Sequence, residues 1–348
     1  MILGIGLAIA SAAIWAASST LLASQTQRVD TITISALRAL WAVPFFAVAL
    51  LVSGAAEDIG EITLSDFAQI FGQGLVGPTI GDTLYVAAIA MLGMTRAFTS
   101  TMALFALLAY VWSAIFLDES VSWQVGLGSL LVLGGVYLVA VYGRPDKDDE
   151  GPRTGLGGLW DWVMRRSQPI AGGSSLQPGP AARTGRPQHG SSEAHSIRFP
   201  LGGSLPVNFR MGMALALIVG VLWSASSVWL RSVSVDYDAS AVGMVRVPMI
   251  AAILIVAAWT IRDSGLRRWN VSLRSHTVLA LSGIFGTGLT TLFFIISLQR
   301  IGAGQTAVLF ATSPLFALPM GYLFLREQIT IWVWVGTAIA VVGIVLLA

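Results

Sequence analysis

Three ionisable side chains lie inside stretches of sequence that are otherwise almost entirely apolar. Arg38 and Arg246 each lie one to two helical turns inside an apolar run, and Asp82 lies midway through another. Burying a charge at the centre of a membrane-spanning helix costs about 2.5–3.5 kcal/mol on insertion scales, so such residues are functional candidates. The carboxylate could bind a cation or a proton, or it could instead form a structural ion pair with Arg38. Each arginine could bind the solute or extend to the nearer membrane surface.

Large aromatic and small hydroxyl side chains occupy the same apolar runs. Trp15 and Trp223 lie well inside their runs, although tryptophan in membrane proteins is usually found at the interfaces. Ser18, Ser19 and Ser227 each follow a tryptophan by about one turn. Aromatic walls with nearby hydroxyls suit a small amphiphilic solute; the alternative is that the indoles fill the core and the serines allow close helix contact.

Two stretches predict irregular helices. Pro78 lies one turn before Asp82 in a glycine-rich stretch, and a proline nitrogen cannot donate a backbone hydrogen bond, so nearby carbonyl groups would be free to face a cavity. Pro314 and Pro319 predict a kink in a later run. We expect the solute-binding cavity to be lined by Trp15, Ser19, Arg38, Asp82, Tyr85, Trp223, Ser227, Arg246, Thr291 and Ser313.

The chain is an internal duplication. Trp15 recurs as Trp223 and Arg38 recurs as Arg246, each pair 208 positions apart (223 − 15 and 246 − 38). The same offset joins Phe116 to Phe324, Leu117 to Leu325 and Glu119 to Glu327. Internal repeats in an apolar chain are typical of secondary transporters. At this offset the counterpart of Asp82 is Thr290, so the carboxylate belongs to the first repeat alone.

Ten apolar runs of near-spanning length predict an all-α polytopic membrane protein. They are Ile2–Leu22, Ile32–Leu51, Phe67–Met91, Phe98–Phe116 and Val125–Tyr142 in the first half, and Met211–Trp229, Val242–Trp259, Val278–Leu298, Ala307–Phe324 and Ile331–Leu347 in the second. With five spans in each repeat, the second copy must enter the bilayer from the opposite face. We therefore predict two inverted five-helix repeats, over 1–142 and 209–348, with a disordered cytoplasmic linker over 143–208, where Gly, Pro, Ser and Arg predominate.

Composition narrows the function classes. Of 348 residues, 55% are hydrophobic and 11% are charged, against roughly 25% charged in soluble domains, so we expect a multi-pass protein of the cell membrane. Cysteine is absent, which excludes disulfides and thiolate metal sites. The three histidines lie in the linker and in a predicted loop, and Asp82 has no acidic neighbour. We therefore expect no cofactor, no metal site, no enzymatic activity and no nucleic-acid partner, and the lack of charged rings argues against an ion channel.

Arginines in the short loops predict the membrane orientation. One face carries Arg28, Arg96, Arg262, Arg267, Arg268, Arg274 and Arg326, and the other carries Arg231 and Arg300. The face with more arginines should be cytoplasmic, which places the linker inside and both termini outside.

The motifs shared by the two halves resemble those of the drug/metabolite transporter superfamily, in particular its ten-helix EamA-type members. They are Ile14–Trp15 and Leu222–Ser224, the paired Arg38 and Arg246, and Phe116–Glu119 and Phe324–Glu327. The resemblance implies a transporter of metabolites, often an exporter of amino acids or related compounds, whose cavity is lined by the first, third and fourth helices of each repeat. It also implies cytoplasmic termini in many relatives; here we follow the arginine count instead.

Two departures from the family pattern carry expectations of their own. The proline typical of the fourth helix is present as Pro314 but replaced by Ala106 in the first repeat, which predicts a straighter helix there. The linker is also longer than the family's usual connection.

We therefore predict a secondary transporter that moves a neutral or zwitterionic, amino-acid-like solute by alternating access, with export as the expected direction. Proton or sodium coupling at Asp82 is one reading of that carboxylate. The alternative within the superfamily is an exchanger of sugar phosphates or nucleotide sugars. Such solutes would require several cations in the cavity, and the spans offer two arginines.

Overall fold

The computed structural model describes residues 1–117, 209–261, 264–267, 270–325 and 330–347, with separate positions between 123 and 138 and two short strands. Within these residues, eight helices are long and apolar enough to cross a membrane, and a ninth apolar helix is shorter. They are α1 Ile2–Ala23, α2 Thr31–Ser53, α3 Leu64–Leu92, α4 Met94–Phe116, α5 Phe209–Ser234, α6 Ala239–Thr260, α7 Leu273–Ile301, α8 Ala303–Phe324 and α9 Ile331–Leu347.

Short polar residues and glycines set where these helices begin and end. The Asp30 side chain caps α2 by accepting a hydrogen bond from the Thr33 amide at 3.0 Å, and Thr63, Asp238 and Ser272 cap α3, α6 and α7 in the same way. A single glycine with positive φ, which lacks the Cβ that would make this conformation strained, joins α3 to α4 (Gly93, φ 79°) and α7 to α8 (Gly302, φ 87°).

The third helix of each repeat contains a π-helical segment in its middle. In α3 the segment is Leu75–Gly81, and in α7 it is Ser282–Leu289. Both fall in the glycine-rich stretches that predicted loosened helices. π-Helical turns inside longer helices are rare and frequently occur at functional sites.

The eighth helix is broken next to Pro314, as predicted, whereas Pro319 lies inside its second part. Its first part, Ala303–Phe310, ends at a turn, and its second part begins at Ser313. The equivalent helix α4, with Ala106 in place of the proline, is continuous over Met94–Phe116. The predicted difference between the two repeats is therefore confirmed.

Contacts between the repeats establish the direction of the helices. α1 packs antiparallel to α7, because Gly4 lies against Ile301 at one end while the Ser18 hydroxyl donates to the Ser282 carbonyl (3.1 Å) toward the other. α2 packs antiparallel to α6, where the Ser53 and Ser240 hydroxyls are 2.7 Å apart.

The first helix of the second repeat, α5, packs antiparallel to α3. Gly212 at the start of α5 lies against Leu92 at the end of α3, and Gly72 near the start of α3 lies against Trp229. α1 and α3 run in the same direction because α2 returns between them, so α5 opposes α1. The two repeats are inverted, and α1–α7 and α3–α5 are reciprocal pairs, as a two-fold relation requires.

The repeat offset changes by one residue before the third helix, because the cap residues Thr63 of α3 and Ser272 of α7 are already 209 positions apart (272 − 63). Ser18 and Ser226 are 208 positions apart (226 − 18), yet the glycines against which their side chains pack, Gly286 and Gly77, are 209 apart (286 − 77). Gly93 and Gly302 are also 209 apart (302 − 93). The broken α8 has 22 residues against 23 in α4, which restores the original offset at Phe116. The structural counterpart of Asp82 is therefore Thr291 and not Thr290, as a constant offset implied.

The loops hold the two repeats together at both faces of the molecule. On the face that carries Arg28, the Asp30 carboxylate accepts a hydrogen bond from the Gly265 amide at 2.6 Å. On the opposite face, the Tyr237 hydroxyl donates to Asp66 at 2.8 Å, and this bond raises the pKa of the Tyr237 phenol. The described arginines follow the predicted division between the faces, although which face is cytoplasmic stays a prediction.

The sequence-based fold class is confirmed: the chain is an all-α, multi-pass integral membrane protein made of two repeats. The observed helices lie within a few residues of the predicted runs. Only separate positions of the predicted fifth span, 125–142, are described, and nearly all of the predicted linker lies outside the described residues. The proposed domain bounds 1–142, 143–208 and 209–348 therefore stay predictions. In that region two strands, Ser196–Arg198 and Ser204–Pro206, pair antiparallel.

Candidate functional site

A cavity lies between the two repeats, near the middle of the helices. Its volume is about 100 Å³. It is lined by Trp15, Gly77, Pro78, Asp82, Phe105, Trp223, Ser226, Ser227, Arg246, Thr287, Thr290, Thr291, Phe294 and Phe310. On α7 the lining positions 287, 290, 291 and 294 follow helical spacing, so one face of that helix forms a wall.

Asp82 is the cavity's carboxylate. It begins the helical segment that follows the π-helix of α3, and its Oδ1 accepts a hydrogen bond from the Trp223 indole nitrogen at 3.0 Å. Arg38 and Arg246 are near enough to interact electrostatically with this carboxylate, but neither forms an ion pair within 4.0 Å. The structure therefore does not contain the direct Asp82–Arg38 pair that the sequence left open.

The two repeated arginines occupy different environments. Arg246 lines the cavity and makes no hydrogen bond within the described part of the chain. Arg38 does not line the cavity, and its side chain is 1% exposed. Its guanidinium carbon lies 5.3 Å from the centre of the Trp15 ring, and its Nε donates to the Ser282 hydroxyl at 3.1 Å. A cation over an indole face is attracted by the ring quadrupole, so Trp15 both covers and stabilises Arg38.

Hydroxyl groups satisfy the carbonyls that Pro78 leaves without a donor. An α-helical residue at 78 would donate to the Gly74 carbonyl, and a π-helical one would donate to the Gln73 carbonyl, but proline has no N–H. The Thr79 hydroxyl donates to Gly74 O at 2.9 Å, and the Ser226 hydroxyl of α5 donates to Gln73 O at 3.0 Å. The carbonyls predicted to be free are thus hydrogen-bonded, and the bond from Ser226 fixes α5 against the loosened part of α3.

Several polar atoms around the cavity have no hydrogen-bond partner among the described residues. They are Trp15 Nε1, Thr290 Oγ1 and Arg246 Nε, and the three side chains are 6%, 3% and 8% exposed. A buried polar atom without a hydrogen bond costs about 1–3 kcal/mol. A polar solute in the cavity would offset that cost.

Aromatic rings form two adjoining groups along the cavity. Trp15, Tyr85 and Trp223 pack together, with ring centres 4.9–6.0 Å apart. Phe105, Phe294 and Phe310 form a second group, with centres 5.1–6.4 Å apart. The two groups meet where Trp15 approaches Phe310, at 6.4 Å.

Six of the ten predicted site residues line the cavity: Trp15, Asp82, Trp223, Ser227, Arg246 and Thr291. Three others lie behind its wall. Tyr85 is fully buried against Trp15, and its hydroxyl is 3.4 Å from that of Ser19, while Arg38 lies behind the Trp15 ring. Ser313 does not line the cavity, because its hydroxyl bonds to the Phe310 carbonyl that Pro314 leaves free.

Sequence reasoning missed the phenylalanine group and the lining hydroxyls Ser226, Thr287 and Thr290. Phenylalanine in a span is equally expected at a lipid-facing position, so the sequence carries no signal for Phe105, Phe294 or Phe310. The helical spacing from Thr291 to Thr287 could have identified the threonine face of α7.

The comparisons with known proteins agree with this architecture. A solved crystal structure with 17% sequence identity matches with a TM-score of 0.64, covering 99% of this chain and 94% of that one, which shows a shared fold. No curated protein matches the chain. The EamA-like transporter family matches residues 2–141 and 210–348, one match for each repeat, and the plasma membrane is the typical location of its members. The chain therefore belongs to the EamA-like transporter family, whose members are membrane transporters.

Proposed function

We propose that this transporter is a secondary carrier for a small zwitterionic, amino-acid-like metabolite, which it moves by alternating access with export as the expected direction. The observation that carries the proposal is the opposite charge of the two ionisable groups lining one cavity. Asp82 comes from the first repeat and Arg246 from the second. A solute that binds both would therefore join the two repeats at their interface, as the solute of an inverted-repeat carrier does.

The chemistry of the two groups favours a zwitterion. A carboxylate accepts hydrogen bonds from an ammonium group, and a guanidinium donates to a carboxylate, so an α-amino acid would satisfy both. The unpaired Trp15 and Thr290 polar atoms add further partners. Leaving either charge of the solute unpaired inside the protein would cost several kcal/mol, and this cost gives the site its selectivity.

The size and charge of the cavity disfavour the alternative substrates. The volume of the cavity is only about 100 Å³. A nucleotide sugar is much larger. A sugar phosphate would bring about two negative charges to a cavity lined by one arginine and one carboxylate among the described residues.

Alternating access would use the irregular helices. The π-helical segments of α3 and α7 and the single-glycine joints at Gly93 and Gly302 are where each repeat can bend without unfolding a helix. Asp82 would couple the movement to a proton or sodium ion by binding it in one orientation and releasing it in the other.

Counterflow in proteoliposomes tests the proposal. Vesicles loaded with unlabelled leucine should accumulate external tritiated leucine transiently and saturably, and leucinamide and N-acetyl-leucine, which each lack one charge, should not compete. Equal competition by the blocked compounds would refute the zwitterion site. Linear flux without counterflow would indicate a channel, and chemical conversion of the leucine would indicate an enzyme.

A further inference from the structure

We infer that Phe105, Phe294 and Phe310 form the pocket for the solute's side chain and restrict the carrier to aliphatic amino acids. This inference rests on the proposed zwitterion carrier and adds which zwitterions it accepts. The pocket is built from both repeats, because Phe105 lies on α4 and the other two lie on α7 and α8.

Asp82 and the phenylalanine group lie in different parts of the cavity. Asp82 bonds to the Trp223 indole, whose described ring partners are Trp15 and Tyr85. The ring contact that connects Trp15 to the phenylalanine group is the one with Phe310, at 6.4 Å. Two indoles therefore separate the carboxylate from the phenylalanines.

The wall formed by α7 also changes along its length, from threonine side chains to a phenylalanine ring. Thr287, Thr290 and Thr291 occupy the first two turns, and Phe294 follows one turn later on the same face. At 1.5 Å per residue, the step from Thr287 to Phe294 is about 10 Å, which is long enough for an amino acid whose side chain reaches the phenylalanine end.

The space at the apolar end suits an aliphatic side chain. The three rings contact one another, and Phe105 and Phe310 are 2% and 7% exposed, so they leave little unfilled space between them. The whole cavity has a volume of about 100 Å³, so its apolar end is better suited to a small aliphatic side chain than to an indole. Tryptophan would require one of these rings to move, and a polar side chain would meet no hydrogen-bonding group there.

Competition binding on the purified protein tests the inference. Valine, leucine, phenylalanine and tryptophan would each compete with tritiated leucine for the wild type and for Phe310→Ala and Phe294→Ala. We expect the wild type to prefer valine and leucine to tryptophan. Removing a ring should change the leucine-to-tryptophan affinity ratio at least about ten-fold in favour of tryptophan, because one methylene in an apolar pocket already gives about 10–200-fold discrimination.

Matched controls separate selectivity from damage to the protein. Phe310→Leu keeps most of the volume and should shift the ratio in the same direction by less, whereas Phe98→Leu changes a buried phenylalanine that does not line the cavity and should leave the ratio unchanged. Wild-type ratios in all the Phe310 and Phe294 variants would overturn the side-chain pocket while leaving the zwitterion carrier intact. If leucine is not bound by the wild type, or leucinamide binds equally well, the proposed function fails as well.

Discussion

Replacing Asp82 with asparagine separates solute recognition from folding. The asparagine side-chain oxygen can still accept the Trp223 indole hydrogen bond, now 3.0 Å long, while the negative charge is lost. A hydrogen bond to a charged group contributes about 1.5–3 kcal/mol, so losing the charge that faces the ammonium group should lower the affinity for leucine by roughly 10- to 150-fold.

The same substitution should reduce the stability of the fold by less than the loss of a buried ion pair would. Breaking a buried ion pair costs about 3–5 kcal/mol. Asp82 forms no such pair with Arg38 or Arg246, and two unit charges more than 4 Å apart interact by less than about 4 kcal/mol at an effective dielectric constant of about 20. We therefore expect Asp82→Asn to express and fold, and we expect the double variant with Arg38→Gln to be no more stable than the single one.

Three measurements on Asp82→Asn complete the test. Thermal unfolding in detergent checks the fold, competition binding checks the affinity, and flux in proteoliposomes under a pH or sodium gradient checks the coupling. We expect weak binding and flux that no longer depends on the gradient, because a neutral amide cannot exchange the ion. A well-folded variant with wild-type affinity would refute the role of Asp82 in recognition, and gradient-driven flux at the wild-type level would refute its role in coupling.

Three further results are expected. Ser226→Ala should lower the free energy of unfolding by about 1–3 kcal/mol, because it leaves a buried carbonyl of α3 unpaired, whereas the exposed Ser232→Ala should have little effect on the melting temperature. Gly286→Ala should reduce both melting temperature and flux, because its methyl group would collide with a serine hydroxyl on α1; overpacking of this kind costs about 1–3 kcal/mol. Because the chain has no cysteine, single cysteines can report orientation: in intact cells a cysteine at Glu61 should react with impermeant thiol reagents and one at Ser272 should not, and the reverse pattern would invert the topology.

Apolar periodicity was sufficient to predict the fold because each span must satisfy its backbone internally and is therefore helical. Thr31–Ser53, for example, contains the predicted run Ile32–Leu51 and extends it at both ends. A constant offset does not give the register of the third helix. One additional residue precedes α7, and α8 is one residue shorter than α4, so both ends of the repeat keep the original offset.

Site residues could be predicted where the sequence places a charged side chain or an indole deep inside a membrane-spanning run, where such side chains are unusual. Asp82, Arg246 and both indoles meet that condition, and all four line the cavity. Arg38 also meets that condition, but it lies behind the Trp15 ring and does not line the cavity. Two inverted repeats in one conformation need not expose equivalent residues to the same cavity. The local sequence around the two arginines does not show which of them lines the cavity.

The most direct test of the account is equilibrium binding of tritiated leucine to three variants of the purified protein. Asp82→Asn removes the charge supplied by the first repeat, Arg246→Gln removes the charge supplied by the second, and Arg38→Gln removes an equivalent arginine that does not line the cavity. We predict that the first two variants each lose at least about ten-fold in affinity, consistent with charge-assisted hydrogen bonds of about 1.5–3 kcal/mol, and that Arg38→Gln binds within a few-fold of the wild type. Wild-type binding by Arg246→Gln, or an equal loss in Arg38→Gln, would contradict a zwitterion site shared between the two repeats.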